Sequence, residues 1–470
     1  MKFDKYIARF TQTHWTFAVV ALIFGTFFIA LTPPLWGPDE NVHFARTYQV
    51  SRGSFTKQAT VVNGVKSYGG GIPQSLVSLN TLKDIDINDH KPGDTKQVDS
   101  ITKYAMVGGV PLSSDKIVAS PFGELAYPTV AYLVPASGVF IDSLFQHTIL
   151  PLTYAARAAT LIFYVALVFI SLYILRQSSF RWAVFIIALL PSTLYQASVV
   201  SADPLLTSLC LLLFAFMYRI SHTQESLWRK YVIPLALVSA LIALIKPPYM
   251  LFILILPFLY IEKRTSRRSK ILLRIIIPLL SILITTWMVS GLGSSAAMTP
   301  PGVSFHDQLN WIFLHPAGYI YMILNSIINI DWVPQIIGIF GSSFILVPMP
   351  IVYTLVSLLA LTTLIKLDSD KRLETNKAKV QSAIYIIASM ASVAAIITTL
   401  FLAYTRVGLE LVSGVQGRYF IPILPFLLYG IRILIRSRLN VSDVSARVAY
   451  PIITSLCLAV SILWYYKILY

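Results

Sequence analysis

Long apolar runs alternate with short basic segments along this chain. A helix of about 20 residues, rising ~1.5 Å per residue, spans the ~30 Å hydrocarbon core of a bilayer. Runs of this kind fall near residues 15–32, 151–175, 181–200, 204–220, 231–245, 249–261, 271–290, 338–365, 380–404, 419–435 and 448–466. The pattern predicts an all-α polytopic membrane protein with about 11 transmembrane helices. The first run follows a basic start (Lys2, Lys5, Arg9) and ends at Pro33-Pro34 without a small-x-small cleavage site, so it reads as an uncleaved anchor. Residues 231–261 read as a hairpin folded at Lys246-Pro247-Pro248, because both flanks are basic. The apolar stretch 117–145 is placed at the outer membrane surface or as a re-entrant segment. A crossing there would invert every later loop.

Charge orients this pattern. With the N-terminus in the cytoplasm, the inner segments are 1–14, 176–181, 219–230, 262–274, 366–379 and 432–447. They hold 23 of the 37 Lys and Arg but only 7 of the 21 Asp and Glu, leaving 14 of each elsewhere. The whole net charge of +16 thus lies on one side, as the positive-inside rule requires. The densest stretch, Glu262 to Lys270, reads as a topology signal or an anionic-lipid contact. Composition agrees: 56% apolar and 12% charged is too apolar for a soluble globule or a nucleic-acid binder. Cys210 and Cys457 sit in apolar runs and read as small buried hydrophobes.

Three parts follow: 1–32, the tail and first helix; 33–150, a long first extracytoplasmic loop; and 151–470, a bundle with an outer loop at 291–337. The middle of the first loop is polar, with Gly69-Gly70-Gly71 and the acidic patch Asp84, Asp86 and Asp89. That patch lacks the glycine and terminal glutamate of a calcium loop. No Walker, Rossmann or His-Glu-x-x-His pattern is present.

Ionisable residues near membrane depth are costly and tend to line cavities or pair. Here Asp39, Glu40, His43, Arg46, Arg157, Asp203, Lys246, Asp331, Arg406, Glu410 and Arg418 all map to the outer side. Pro38 suits a first helical position. A helix starting there puts Asp39, His43 and Arg46 on one face, with Glu40 meeting His43 at i, i+3. A carboxylate beside His and Arg suits a general base, although acids in a first turn also answer the helix dipole. Asp203 either caps the next helix or serves the site. Lys246, beside Tyr249, either snorkels or contacts a phosphate. In Gly414-Val415-Gln416-Gly417-Arg418-Tyr419 an Arg at a helix start opposes the dipole but suits an anion.

Pro38-Asp39-Glu40-x-x-His43-Phe44, Ala197-Ser198-x-x-Ser201-Ala202-Asp203 and Gly414-Val415-Gln416-Gly417-Arg418-Tyr419-Phe420-x-Pro422 together resemble a bacterial family of multi-spanning proteins of unknown function. The resemblance covers about residues 15–435 and is similar, in turn, to the GT-C class of membrane glycosyltransferases. It implies a polyprenyl-phosphate-linked sugar donor, a cell-envelope glycan acceptor and an essential acid at Asp39 or Glu40. Asp39 would take the acceptor proton, with Glu40 and His43 tuning it or holding a cation. Lys246, Arg418 and Arg406 would steady the departing phosphate. His43, Arg46, Asp203, Tyr249, Asp331, Gln416 and Tyr419 complete the expected binding set. Trp36, Tyr48, Trp332 and Tyr419 read as sugar platforms or interface-belt residues. Asp84-x-Asp86 is the one Asp-x-Asp of the outer loops, so a divalent cation stays open as the sole cofactor. The rival expectation is a transporter or flippase for a lipid-linked glycan, using the same cations.

Overall fold

The computed structural model describes residues 12–56, 58–62, 65–89, 101–113, 115–121, 127–222, 228–260, 266–292, 302–342, 344–366, 375–435 and 439–470. Lys2, Lys5, Arg9, residues 262–265 of the basic stretch, and Arg436 and Arg438 lie outside the described residues. The fold is an all-α polytopic membrane protein. Among the described residues, seven helices are long and apolar enough to cross a membrane: Thr13–Leu31, Ile149–Ile174, Asp203–His222, Arg267–Trp287, Ala378–Tyr404, Gly417–Leu434 and Asp443–Leu469.

The other four expected crossings are shorter or broken, each at an identifiable backbone feature. Residues 181–200 form two helices, Arg181–Ala188 and Pro191–Ala197. Pro191 drives Leu190 out of the helical region, to ψ 137°. Both pieces are wholly buried among the longer helices. Pro247 likewise leaves Lys246 extended, separating helix Ile233–Ile245 from the turns of Pro247–Phe258. In 338–365, a two-stranded hairpin, Ile339–Phe340 with Ile345–Leu346, precedes the 16-residue helix Met349–Leu364. Its turn holds Gly341 at φ 63°, which suits glycine. The segment 117–145 does not form a long helix. It provides a strand, Ile117–Pro121, a 3-10 turn, Thr129–Tyr132, and a helix, Leu133–Asp142.

The first loop departs from a purely helical reading. It carries an antiparallel three-stranded sheet in the order Gln58–Val62, Val65–Pro73, Ile117–Pro121. Helices Gln74–Asp89 and Ile101–Gly108 complete it.

Side-chain pins gather the helix ends into two groups. At the basic end, Arg181 donates to Thr13 Oγ1 at 3.0 Å and pairs with Asp443. Arg432 reaches Thr362 O at 2.7 Å and Ser179 Oγ. Strand Ile365–Lys366 pairs in parallel with Leu439–Asn440 at this end. The opposite end gathers Leu31, Thr32, Arg157, Val200, Asp203, Lys246, Arg418 and Tyr470, through the contacts given below and a Tyr470 hydroxyl bond to Leu31 O at 3.0 Å. The short helices therefore alternate in direction as full crossings would.

Candidate functional site

The helix expected at Pro38 begins two residues later, as Glu40–Ser51, and Asp39 precedes it in left-handed conformation at φ 56°. Such a backbone is costly for a non-glycine residue and is found at sites that the surrounding fold holds in place. The turn sends the neighbouring carboxylates to different partners.

Glu40 is fully buried against Arg157. Its Oε1 accepts from Arg157 Nε at 2.7 Å and from the Val200 amide at 3.0 Å; its Oε2 accepts from Arg157 Nη2 at 2.7 Å and from the Gly37 amide at 2.9 Å. Arg157 also donates to Thr32 O at 2.6 Å and Pro33 O at 2.8 Å. Both Glu40 oxygens are thus bonded to protein groups in this arrangement, unlike those of Asp39, although the sequence pairs the two as catalytic acids. Sequence reasoning noted Arg157 as an ionisable group in an apolar run, but gave it no place in the site.

Asp39 is 61% exposed, and its Oδ2 accepts from Arg418 Nη2 at 2.8 Å. Arg418 is 3% exposed, and its Nε lies 3.2 Å from Asp203 Oδ2. That Nε contact is an ion pair without hydrogen-bond alignment. Asp203 Oδ1 accepts from Lys246 Nζ at 3.1 Å. Asp39, Arg418, Asp203 and Lys246 thus form a chain of alternating charge, opening to solvent at Asp39. Lys246 also sits 4.1 Å from the Tyr419 ring centroid and 5.6 Å from that of Tyr127.

Supporting contacts fix this row. Tyr249 is buried, and its hydroxyl donates to Tyr419 O at 2.5 Å, so it holds the backbone beside Arg418. Arg418 Nη2 donates to the Tyr419 hydroxyl at 3.3 Å. Gln416 precedes the 3-10 turn Gly417–Ile423. The Gly417 amide donates to Gln335 Oε1 at 3.0 Å. A Cβ on Gly417 would lie 2.7 Å from the Gln335 backbone, so the glycine permits a close approach to helix Trp332–Ile337. Gln335, Tyr127 and Tyr132 were not singled out from sequence; as unremarkable polar or aromatic residues, they gave no local signal.

His43 is buried with its Nδ1 3.0 Å from the Tyr132 hydroxyl. Burial pushes its pKa down to about 4; Asp39 and Asp203 oppose that shift, and Arg418 and Lys246 add to it. The ring is therefore neutral at pH 7. In the unfolded chain it takes a proton near 6.5, so folding stability falls as pH drops from about 6.5 towards 4. His43→Gln should lose less stability across that window than the native protein, which paired thermal-unfolding curves would measure.

Three expected binding residues lie elsewhere. Arg46 is buried, and it donates to Ser54 O at 3.0 Å, Phe55 O at 2.8 Å and Thr129 Oγ1 at 3.1 Å. The left-handed turn at Asp39 separates the two residues that helical spacing had put on one face, and Arg46 instead holds the loop behind the helix. Arg406 is exposed beside Gly302; among the described residues, it has no ion pair with the Arg418 row. Asp331 is exposed ahead of helix Trp332–Ile337, whose Gln335 accepts from the Gly417 amide. Trp36 and Tyr48 are buried, with Trp36 Nε1 donating to Tyr104, so neither presents a face to a sugar.

For a metal, the donor set does not fit. Among the described residues, no three His, Cys, Asp or Glu side chains are grouped to hold one. Asp39 and Asp203 are already matched by Arg418 and Lys246.

The matched family model, Predicted membrane protein (DUF2142), covers residues 22–427, and so all four charged residues of the row. No curated protein and no solved structure matches the chain. On that match over most of its length, the chain belongs to the DUF2142 family of predicted membrane proteins.

Proposed function

We propose that this protein is a GT-C-type glycosyltransferase moving a sugar from a polyprenyl-phosphate donor to a glycan hydroxyl on the outer face of the cytoplasmic membrane. The observation carrying this reading is the Asp39–Arg418 pair: an exposed carboxylate backed by a buried cation, 379 residues apart in sequence, at the end of the bundle opposite the basic loops. The orientation rests on the Lys and Arg bias. A nucleotide-sugar donor would be on the wrong side.

The row carries no net charge as it stands, so a phosphate must exchange with a carboxylate. Asp39 is the accessible member and forms the outer boundary of Arg418. An arriving phosphate oxygen takes the Arg418 guanidinium as Asp39 turns outward. Asp39, released from its cation, becomes more basic beside the acceptor. The acceptor oxygen then bonds to the anomeric carbon as the bond from that carbon to the phosphate oxygen breaks. The acceptor proton passes to Asp39. The electron pair of the broken bond leaves on the phosphate, where Arg418 and Lys246 balance it.

Arg418→Ala tests the cation. Hydrogen bonds to charged groups contribute about 1.5–3 kcal/mol, so polyprenyl-phosphate affinity in nanodiscs should fall about 10- to 100-fold. Arg418→Lys should retain part of that affinity, because Lys keeps the charge but loses the fork. Unchanged binding in Arg418→Ala would remove the phosphate role.

A further inference from the structure

Helices Phe305–Leu314 and Pro316–Asn329 meet at 109° across His315. Sequence reasoning placed them in an outer loop. Their contacts put them lower. Met322 packs in one cluster with Ile397 and Phe401, with Trp311, Tyr319, Ile323 and Val393 around it. Tyr319 also shares a hydrogen bond with Thr398. Thr398 and Ile397 precede the end of the spanning helix at Tyr404 by six and seven residues. At ~1.5 Å per residue, these contacts reach about 10 Å along that helix from its end.

Both ends of the bent pair return to the same side. Gln308 Nε2 donates to Thr405 O at 2.8 Å. Asn325 Nδ2 donates to Glu410 O at 3.0 Å, and Ser326 Oγ accepts from the Val412 amide at 3.0 Å. The pair therefore does not cross. Its outward side presents Phe313, Leu314, Ile320, Leu324 and Ile328, all more than half exposed. An apolar face of that kind is unfavourable in water, and here its bend packs beside a membrane-spanning helix, inside the end of that helix.

We infer that Phe305–Asn329 is a re-entrant wedge whose outward face is seated against lipid acyl chains in the leaflet on the Asp39 side. The inference holds whichever way the bundle faces and whatever reaction it performs. Trp332 ties the wedge, through its Nε1 bond to Ser326 O at 3.1 Å, to the helix whose Gln335 holds the Gly417 amide.

Spin labels on Leu314→Cys and Ile320→Cys, near the bend of the wedge, in the full chain reconstituted in phosphatidylcholine nanodiscs, test it. Both native cysteines are buried and stay in place, with the unsubstituted protein as labelling blank. Collisions with molecular oxygen should exceed those with a nickel chelate at both positions, and the order should reverse at exposed Glu410→Cys. Chelate collisions at 314 and 320 as frequent as at 410 would put the face in water. Few collisions with either reagent would mean that protein covers it. Either result overturns the inference. Since the labelled side chains already point outward, the substitutions leave the packed face unaltered.

Discussion

Asp39→Asn should lower sugar transfer by about 10²- to 10⁴-fold, the usual contribution of a positioned base. The substitution keeps the size of the side chain and removes its proton affinity. It also removes the negative charge held 2.8 Å from Arg418 Nη2. Polyprenyl phosphate should then bind at least as tightly as to the native protein, because it no longer competes with a carboxylate for the guanidinium. Falling turnover with undiminished donor affinity is a signature that damage to the fold would not give. Native turnover in Asp39→Asn would dismiss Asp39 as the base. A flippase using the same cations would keep moving lipid in this variant, so transport assayed beside transfer separates the two activities.

The second large effect concerns stability. Arg157→Ala should destabilise the protein by about 3–5 kcal/mol, because it strands the Glu40 carboxylate in a fully buried site. Glu40→Ala should do similar harm from the other side, leaving the guanidinium without its carboxylate. The double variant Arg157→Met with Glu40→Leu should recover much of the loss, since replacing a whole buried pair by apolar groups is often neutral. Thermal unfolding of the native protein, Arg157→Met, Glu40→Leu and that double variant in one detergent gives the coupling directly. Additive losses would mean that the two side chains do not act as a unit. The pair ties Thr32 and Pro33, at the end of the first span, to Val200 in the bend after helix Pro191–Ala197, so its loss should also loosen the turn holding Asp39.

Asp39 and Glu40 show where sequence reading stops. Adjacent acids after an apolar run mark a special place, and both were flagged for that reason. Their division of labour depends on one left-handed residue, which helical spacing does not reveal. It depends as well on partners 117 and 379 positions away. The same holds for Arg46, whose helical register with Asp39 was assumed through a residue that is not helical.

What the chain alone determined is the solvent it lives in, and its Lys/Arg bias sets the expectation for which way its loops face. Apolar runs and Lys/Arg bias are sums over many residues, and those sums survive local irregularity. Hydropathy does not see where a proline or a left-handed glycine interrupts a run, so 181–200 and 338–365 read as crossings without their breaks, whereas the fold at Lys246-Pro247-Pro248 was legible from its two basic flanks. It also read 305–329 as loop, because moderately apolar, amphipathic helices score low when summed over all faces. Only tertiary structure joined Asp39, Arg418, Asp203 and Lys246 in one row. Charges pair through space, and the backbone separation of those partners carries no trace of it.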